Sequence, residues 1–301
     1  MAKSRDWFIG IVIAGTFVVF TTLTVLAVWG LSDSDGIGFS GFGKRVALVE
    51  LIGPIESSHS IVRQLRRWGD DESIAAIVLR VDTPGGGVAA SQEIYDEILR
   101  VRDEGKKVVV SMGSVAASGG LYVAVAADTV VANPGTLTGS IGVIFQYPTI
   151  ERLLDKIGVQ YETIKSGPYK DIGSFARSMS PADSAHLQSV IDDTYEQFVE
   201  VVADGRGLDP EEVRRFADGR IFTGRQALEL NLVDVLGDYQ DAIDIAAEMA
   251  GMEPSPRTVR EVPRQRPTVW DFLGRLGSVL LEDADRYAND QEPLLQYRWD
   301  H

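Results

Sequence analysis

Ser118 lies in the stretch SMGSVAASGG, Ser111 to Gly120, among small residues and directly ahead of two glycines. A serine in that setting suits a tight turn from strand to helix, which would present its hydroxyl as a nucleophile. The stretch is not a strict G-x-S-x-G elbow, because Ala116 holds the first glycine position. Nor is it a phosphate loop, because no Gly-Lys-Ser/Thr follows. A nucleophilic serine needs a base. The chain has three histidines: His59 in the polar turn ESSHSI, His186 at the exposed start of a helical segment, and His301 as the last residue. They form no HExxH or HxH pair, so a histidine metal site is not expected, and their polar settings read as surface and disfavour a histidine base. Cysteine is absent, which removes thiolate nucleophiles, thiolate zinc sites and disulfides together.

A lysine can stand in for histidine opposite a serine. It must then lose its proton well below the value of about 10.4 found in water, and burial lowers that value by up to about 3–5 units. The chain has seven lysines. Lys3 precedes an apolar run, Lys44 ends a linker, Lys106 and Lys107 open a strand, and Lys156 lies on a polar helix face. Lys165 and Lys170 flank SGPY, a loop at a strand end. No S-x-x-K occurs, which excludes a β-lactamase arrangement. Elimination leaves Lys170 as the candidate base. A second glycine cluster, VDTPGGGV from Val81 to Val88, follows a strand pattern and precedes a helix pattern. Its glycines could admit a substrate to the backbone and aim an N–H at a developing oxyanion. A plain connecting turn is the alternative.

The elements that would position these residues alternate. RVALVEL (Arg45 to Leu51), SIAAIVLRVD (Ser73 to Asp82) and KKVVVSMG (Lys106 to Gly113) read as buried strands. Between them, SSHSIVRQLRRW and VAASQEIYDEILRVRDEG carry helical spacing. A further helix is expected from about Ser118 through LYVAVAAD. DTVVANP, IGVIFQ and YETIKSG read as short strands, and from Pro181 the chain turns helical. Alternation of this kind predicts βαβ units and a largely parallel sheet, an α/β fold. At a strand's carboxyl end, both glycine turns would open on the side where such sheets bind ligands.

Ahead of this region, Phe8 to Leu31 is uncharged over 24 residues. That is long enough to cross a hydrocarbon core of about 30 Å. The run exceeds the apolar part of a signal peptide, and AVWGLSD is a poor cleavage site. A retained transmembrane anchor is therefore expected. Lys3 and Arg5 precede it while Asp33 and Asp35 follow, which predicts a cytoplasmic N-terminus and an extracytoplasmic remainder. The expected organisation is a cytoplasmic N-terminus (1–7), an anchor (8–31), a Gly/Ser/Asp-rich linker (32–44), one catalytic domain (45–251) and a tail (252–301). The tail reads as partly extended, with a possible amphipathic helix. A net charge of −15 argues against a nucleic-acid partner.

VDTPGGGV, SMGSVAASGGLYVAVAAD, TLTGSIGV, IKSGPYKDIGS and DGRIFTGRQALELNLVDVLG together resemble the signal peptide peptidase A family of membrane-anchored Ser-Lys proteases. The resemblance covers roughly Arg45 to Ala250, with the motifs in the family's order. It implies Ser118 as nucleophile, Lys170 as general base and Ser140 as the residue orienting that lysine. It also implies an oxyanion hole from the N–H groups of Gly86 and Gly119, with Gly85 the alternative to Gly86. The implied fold is the Clp-protease/crotonase-like α/β superfold with an N-terminal transmembrane helix. The short form of the family, one domain per chain, forms ring-like homo-oligomers, commonly octamers. Its substrates are signal-peptide remnants and other membrane-associated peptides, and it needs no metal or cofactor. Leu121 departs from the pattern, standing where an aromatic often follows the glycines. A crotonase-type acyl-CoA enzyme and a non-catalytic membrane scaffold are the alternatives.

Two expectations can be tested on the protein as it stands. Protease added to intact spheroplasts should digest the domain beyond the anchor; protection until lysis would reverse the orientation. Acidic residues number 44 against 29 Lys and Arg, a balance suited to salt. The thermal midpoint should rise from dilute to molar salt, as the screening length falls from about 10 Å at 0.1 M to about 3 Å at 1 M. A flat or falling midpoint would count against that reading.

Overall fold

The structure, a computed structural model, describes residues 44–261. Strands β1 (Arg45–Ile52), β2 (Ile74–Thr83) and β3 (Lys107–Ala117) form the centre of one sheet. Helices α1 (His59–Asp70) and α2 (Val88–Asp103) connect them, so β1–β2 and β2–β3 are parallel pairs. The β2 sequence IAAIVLRVDT is almost continuously apolar because the strand is covered on both faces. One face carries Ala47, Leu79 and Val110 and packs against Leu65 of α1 and Ile98 of α2. The other face carries Val46, Val78 and Val109 and packs against Ala246 of α8 (Tyr239–Met249).

The remaining elements are shorter. They are α3 (Gly119–Ala124), β4 (Thr129–Ala132), β5 (Leu137–Gly139), α4 (Glu151–Ile157), α5 (Pro181–Arg206), α6 (Pro210–Arg214), β6 (Ile221–Thr223), α7 (Gly224–Glu229), β7 (Val235–Leu236) and β8 (Thr258–Arg260). Strands run in the order β6-β5-β3-β2-β1-β8, with β4 pairing β3 and β7. All pairs are parallel except β5 with β6. The largely parallel α/β sheet expected from the alternation is thus present.

β3 changes partner along its length. Val109 to Ser111 pair with β4, whereas Val115 to Ala117 pair with β5. Between the two ladders β3 bulges: Val81 faces Met112 but Thr83 faces Ala116. The Asp82 carboxylate holds the bulge by accepting from the Val115 N–H at 3.0 Å. Thr136 and Thr138 donate their hydroxyls to the Gly113 and Ala116 carbonyls at 2.7 and 2.6 Å, fixing β5 to the second half of β3. These bonds direct the end of β3 to Ser118.

Several local expectations differ from the structure. Ile141 to Gln146 and Tyr161 to Gly167 form no strand. Their apolar residues look strand-like in sequence, but Ile144 and Ile164 are fully or largely exposed, and among the described residues no strand pairs with either segment. The helix after Ser118 ends at Ala124, earlier than expected. The three residues of β8 pair with β1, so part of the extended tail is built into the sheet. No described helix is long and apolar enough to cross a membrane. The expected anchor at 8–31, the linker short of Lys44 and the tail beyond Glu261 lie outside the described residues.

Candidate active site

Two strand-to-helix turns meet at the carboxyl end of the sheet. The first follows β2. Buried Thr83 accepts the Gly85 N–H through its hydroxyl at 3.1 Å. Ile55 runs alongside: its N–H donates to the Gly85 carbonyl at 2.9 Å, and its carbonyl accepts the Gly87 N–H at 2.8 Å. The N–H groups of Gly85 and Gly87 are therefore occupied, while that of Gly86 has no partner among the described residues. A Cβ on Gly86 would come within 2.3 Å of the Ile55 carbonyl oxygen, so this approach requires glycine.

The second turn follows β3. Ser118 has φ 52° and ψ −119°, a left-handed setting that costs a non-glycine residue about 1–3 kcal/mol. The surroundings hold it there. Its N–H donates to the Gly139 carbonyl at 2.9 Å and its carbonyl accepts from the Tyr122 N–H at 3.0 Å. The side chain is half-buried, and its hydroxyl makes no hydrogen bond among the described residues. Gly119 opens α3, so its N–H has no partner within the helix. The turns touch: a Cβ on Gly85 would lie 2.9 Å from both the Gly119 nitrogen and the Ser118 Cβ.

Ser118, Gly86 and Gly119 line one cavity of about 110 Å³. Val88, Tyr122 and Phe198 give it apolar walls, and Thr194 and Gln197 of α5 a polar edge. Burial, with Asp96 and Tyr95 adding less, pushes the Tyr122 phenol up to about 12, so it stays protonated at neutral pH. The arrangement has what acyl transfer needs: a nucleophile opening on a cavity, unpaired N–H groups beside it and a place for one side chain. It also separates the two glycine candidates, since Gly85 spends its N–H on Thr83 and Gly86 does not.

The other expected residues are placed differently. Ser140 follows Gly139, the residue bonded to Ser118, and is half-buried at φ 53° with its N–H donated to the Arg220 carbonyl at 2.8 Å. Lys170 is exposed in a run of turns before α5 and does not line the Ser118 cavity. Its amine makes no hydrogen bond or ion pair among the described residues, whereas Lys165 is bonded to Asp171 at 2.7 Å and to the Pro168 carbonyl at 3.1 Å. Among the described residues, no group of three or more His, Cys, Asp or Glu side chains could hold a metal ion. The contribution of α5 to the cavity has no signal in the sequence near Ser118. The helical spacing of Thr194, Gln197 and Phe198 marks a shared face, but nothing local ties that face to Ser118.

A serine held in a left-handed turn above unpaired N–H groups, on a Clp-like sheet, defines a serine hydrolase class. Comparison with known proteins makes the class specific. The profile of peptidase family S49 matches residues 100–253, and that of Clp protease matches residues 44–136. A Synechocystis protein carrying a provisional protease name is 47% identical over 232 residues, 77% of this chain and 83% of its own. Protease 4 of Salmonella typhi is 43% identical over 210 residues, 70% of this chain. The chloroplastic serine protease SPPA of Arabidopsis thaliana is 31% identical over 260 residues, 81% of this chain. The matched regions are 33% and 38% of those two longer proteins. The chain belongs to peptidase family S49, the signal peptide peptidase A family, and is a serine peptidase.

Gly86→Ala should lower kcat by about 10²–10³, the size of losing one oxyanion donor, because a Cβ pressed on the Ile55 carbonyl displaces the N–H that alanine still carries. Gly135→Ala, where a Cβ meets nothing within 4 Å, is the control. Equal kcat for both variants would remove Gly86 from the site.

Proposed function

We infer that this protein is a membrane-tethered endopeptidase that uses Ser118 and Lys170 to cleave signal-peptide remnants or other membrane-associated peptides. The observation that carries the reading is the strained Ser118 facing unpaired Gly86 and Gly119 N–H groups in an apolar cavity. Ser118 Oγ attacks the peptide carbonyl carbon while its proton passes to the neutral amine of Lys170. The carbonyl oxygen becomes an oxyanion and accepts from the two glycine N–H groups. The C–N bond then breaks, and Lys170 returns the proton to the leaving amine. Water, deprotonated by the same lysine, hydrolyses the acyl ester. Ser140, whose backbone adjoins Ser118 through Gly139, is assigned to orient the lysine.

Two observations favour assembly of the pair between copies of the chain. Lys170 is exposed and stands outside the Ser118 cavity of its own chain. The segment before it displays Phe145, Leu153, Ile157 and Ile164 to solvent, and α4 buries no residue. Such a surface calls for cover. A ring of copies would supply it and bring each Lys170 to a neighbour's Ser118. The cavity, at about 110 Å³, is smaller than the roughly 150 Å³ that houses benzene. It therefore favours aliphatic over aromatic side chains in the substrate.

Ser118→Ala should abolish peptide cleavage, and Lys170→Ala should cost at least the 10²–10⁴-fold typical of a general base. Lys170→Arg should fail as well, because arginine keeps its proton. Subunits carrying S118A and subunits carrying K170A, mixed and reassembled, should regain activity if the pair forms between copies. A mixture as dead as its parents, with both parents inactive, would return the pair to a single chain.

A further inference from the structure

The Lys170 loop is held by an ion cluster that takes no direct part in the chemistry above. Asp171 follows Lys170 immediately. Its carboxylate accepts from Lys165 Nζ at 2.7 Å and, bidentately, from Arg177 Nε at 2.9 Å and Nη2 at 2.8 Å. Arg177 Nη1 donates onward to Asp183 at 2.6 Å and to the Ser178 carbonyl at 3.1 Å. Asp183 also caps α5, accepting the Ser180 N–H at 3.0 Å. The Asp171 and Asp183 side chains are only 12% and 4% exposed. Covered, bidentate and shared pairs of this kind hold their geometry better than a lone surface ion pair. Hydrogen bonds from Arg177 and then Lys165 hold the Asp171 carboxyl far below the usual carboxylate range. Arg177, with the Ser180 backbone, holds Asp183 at about 2.

The role proposed for Lys170 gives this cluster a consequence. A carboxylate beside an amine favours the protonated ammonium, and an ammonium cannot take a proton from serine. Asp171 is the carboxylate nearest Lys170 along the chain, and every cation holding it lies on the same loop. We propose that Lys165 and Arg177 sequester the Asp171 carboxylate, and so leave the adjacent Lys170 amine free to act as the base. The inference rests on the reading of Lys170 given above. Lys165 and Arg177 are positioning residues, since neither touches the reacting atoms.

Asp183, Glu151 and His186 near the loop have partners of their own, while Glu162, on the same segment, is exposed. Asp183 is committed to Arg177 and Ser180. Glu151 of α4, with Arg152 beside it, accepts from the Ser178 N–H at 2.8 Å. His186 of α5 stacks on Tyr169 with ring centroids 5.1 Å apart. Asp171 differs from Glu162 in adjoining Lys170 in sequence and in being held by two cations whose loss would leave its charge unbalanced.

The test is the pH profile of kcat/KM for peptide cleavage by the full chain, in wild type, Arg177→Gln, Asp171→Asn, the double variant and Lys170→Ala. Arg177→Gln should move the alkaline-rising limb up by about one pH unit, a loss of about tenfold on the limb, with the plateau kept within about twofold. Asp171→Asn should leave the limb at or below its wild-type position. Combined with Arg177→Gln, it should bring the limb back. A lowered plateau with an unmoved limb would overturn the proposal, as would an Asp171→Asn variant impaired like Arg177→Gln or a double variant that fails to recover. Those results would make the cluster a loop brace only. Lys170→Ala reports on the underlying reading by itself: its loss of activity supports the base, and retained activity removes the base whatever the limbs do.

Discussion

Backbone-to-backbone contact between the two glycine turns is the constraint on which the site depends. The β2 turn packs so closely on Ser118 that Gly85 has no room for a side chain, and the Ile55 carbonyl occupies the space a Cβ would need on Gly86. Ile55 consumes the carbonyl of Gly85 and the N–H of Gly87, and Thr83 consumes the N–H of Gly85. The geometry leaves the Gly86 N–H as the donor free to face the cavity. Gly119 contributes the second for a different reason, as the first residue of a helix. The hole is thus defined by which N–H groups their neighbours have already taken.

Ser118 could not hold its left-handed conformation unaided. The penalty of about 1–3 kcal/mol is met by what surrounds the turn. The bulged β3 strand exchanges β4 for β5 just before the serine, and the Gly139 carbonyl at the end of β5 receives the Ser118 N–H. Thr136, Thr138 and Asp82 fasten that exchange with buried or half-buried side-chain bonds. Beneath lies a sheet whose central strands are covered on both faces, so the frame offers little give.

The two halves of the proposed chemistry rest on opposite environments. The serine side is small and walled largely by apolar groups, Tyr122 and Phe198 among them, and burial keeps the Tyr122 phenol protonated. The lysine side is exposed and rich in charge, with its carboxylates bound to Arg177 and Lys165. On the proposed reading, desolvation of the lysine would come from a second copy of the chain covering it. The uncovered apolar side chains of residues 144–164 are consistent with that requirement.

Much of the frame was readable from residue order. β1, β2 and β3 follow from apolar runs, α1 and α2 from helical spacing, and the two glycine turns from their position after strands. Those are local signals, and local energetics favours the same conformations that the fold uses. The tight turn at Ser118 could be anticipated from its small neighbours and following glycines, and the positive φ of the serine itself is a finding of the structure. Other features depended on contacts between distant segments. Whether IGVIFQ becomes a strand depends on a neighbour to pair with, and none pairs with it among the described residues. The choice of Gly86 over Gly85 depends on Thr83 and Ile55. The cavity wall from α5, and the capture of Asp171 by Arg177 and Lys165, arise where segments meet in space. Sequence determined which groups could do chemistry, because side-chain type is local. The tertiary structure decided which of them are free to do it, because a hydrogen bond already made to one partner is unavailable to another.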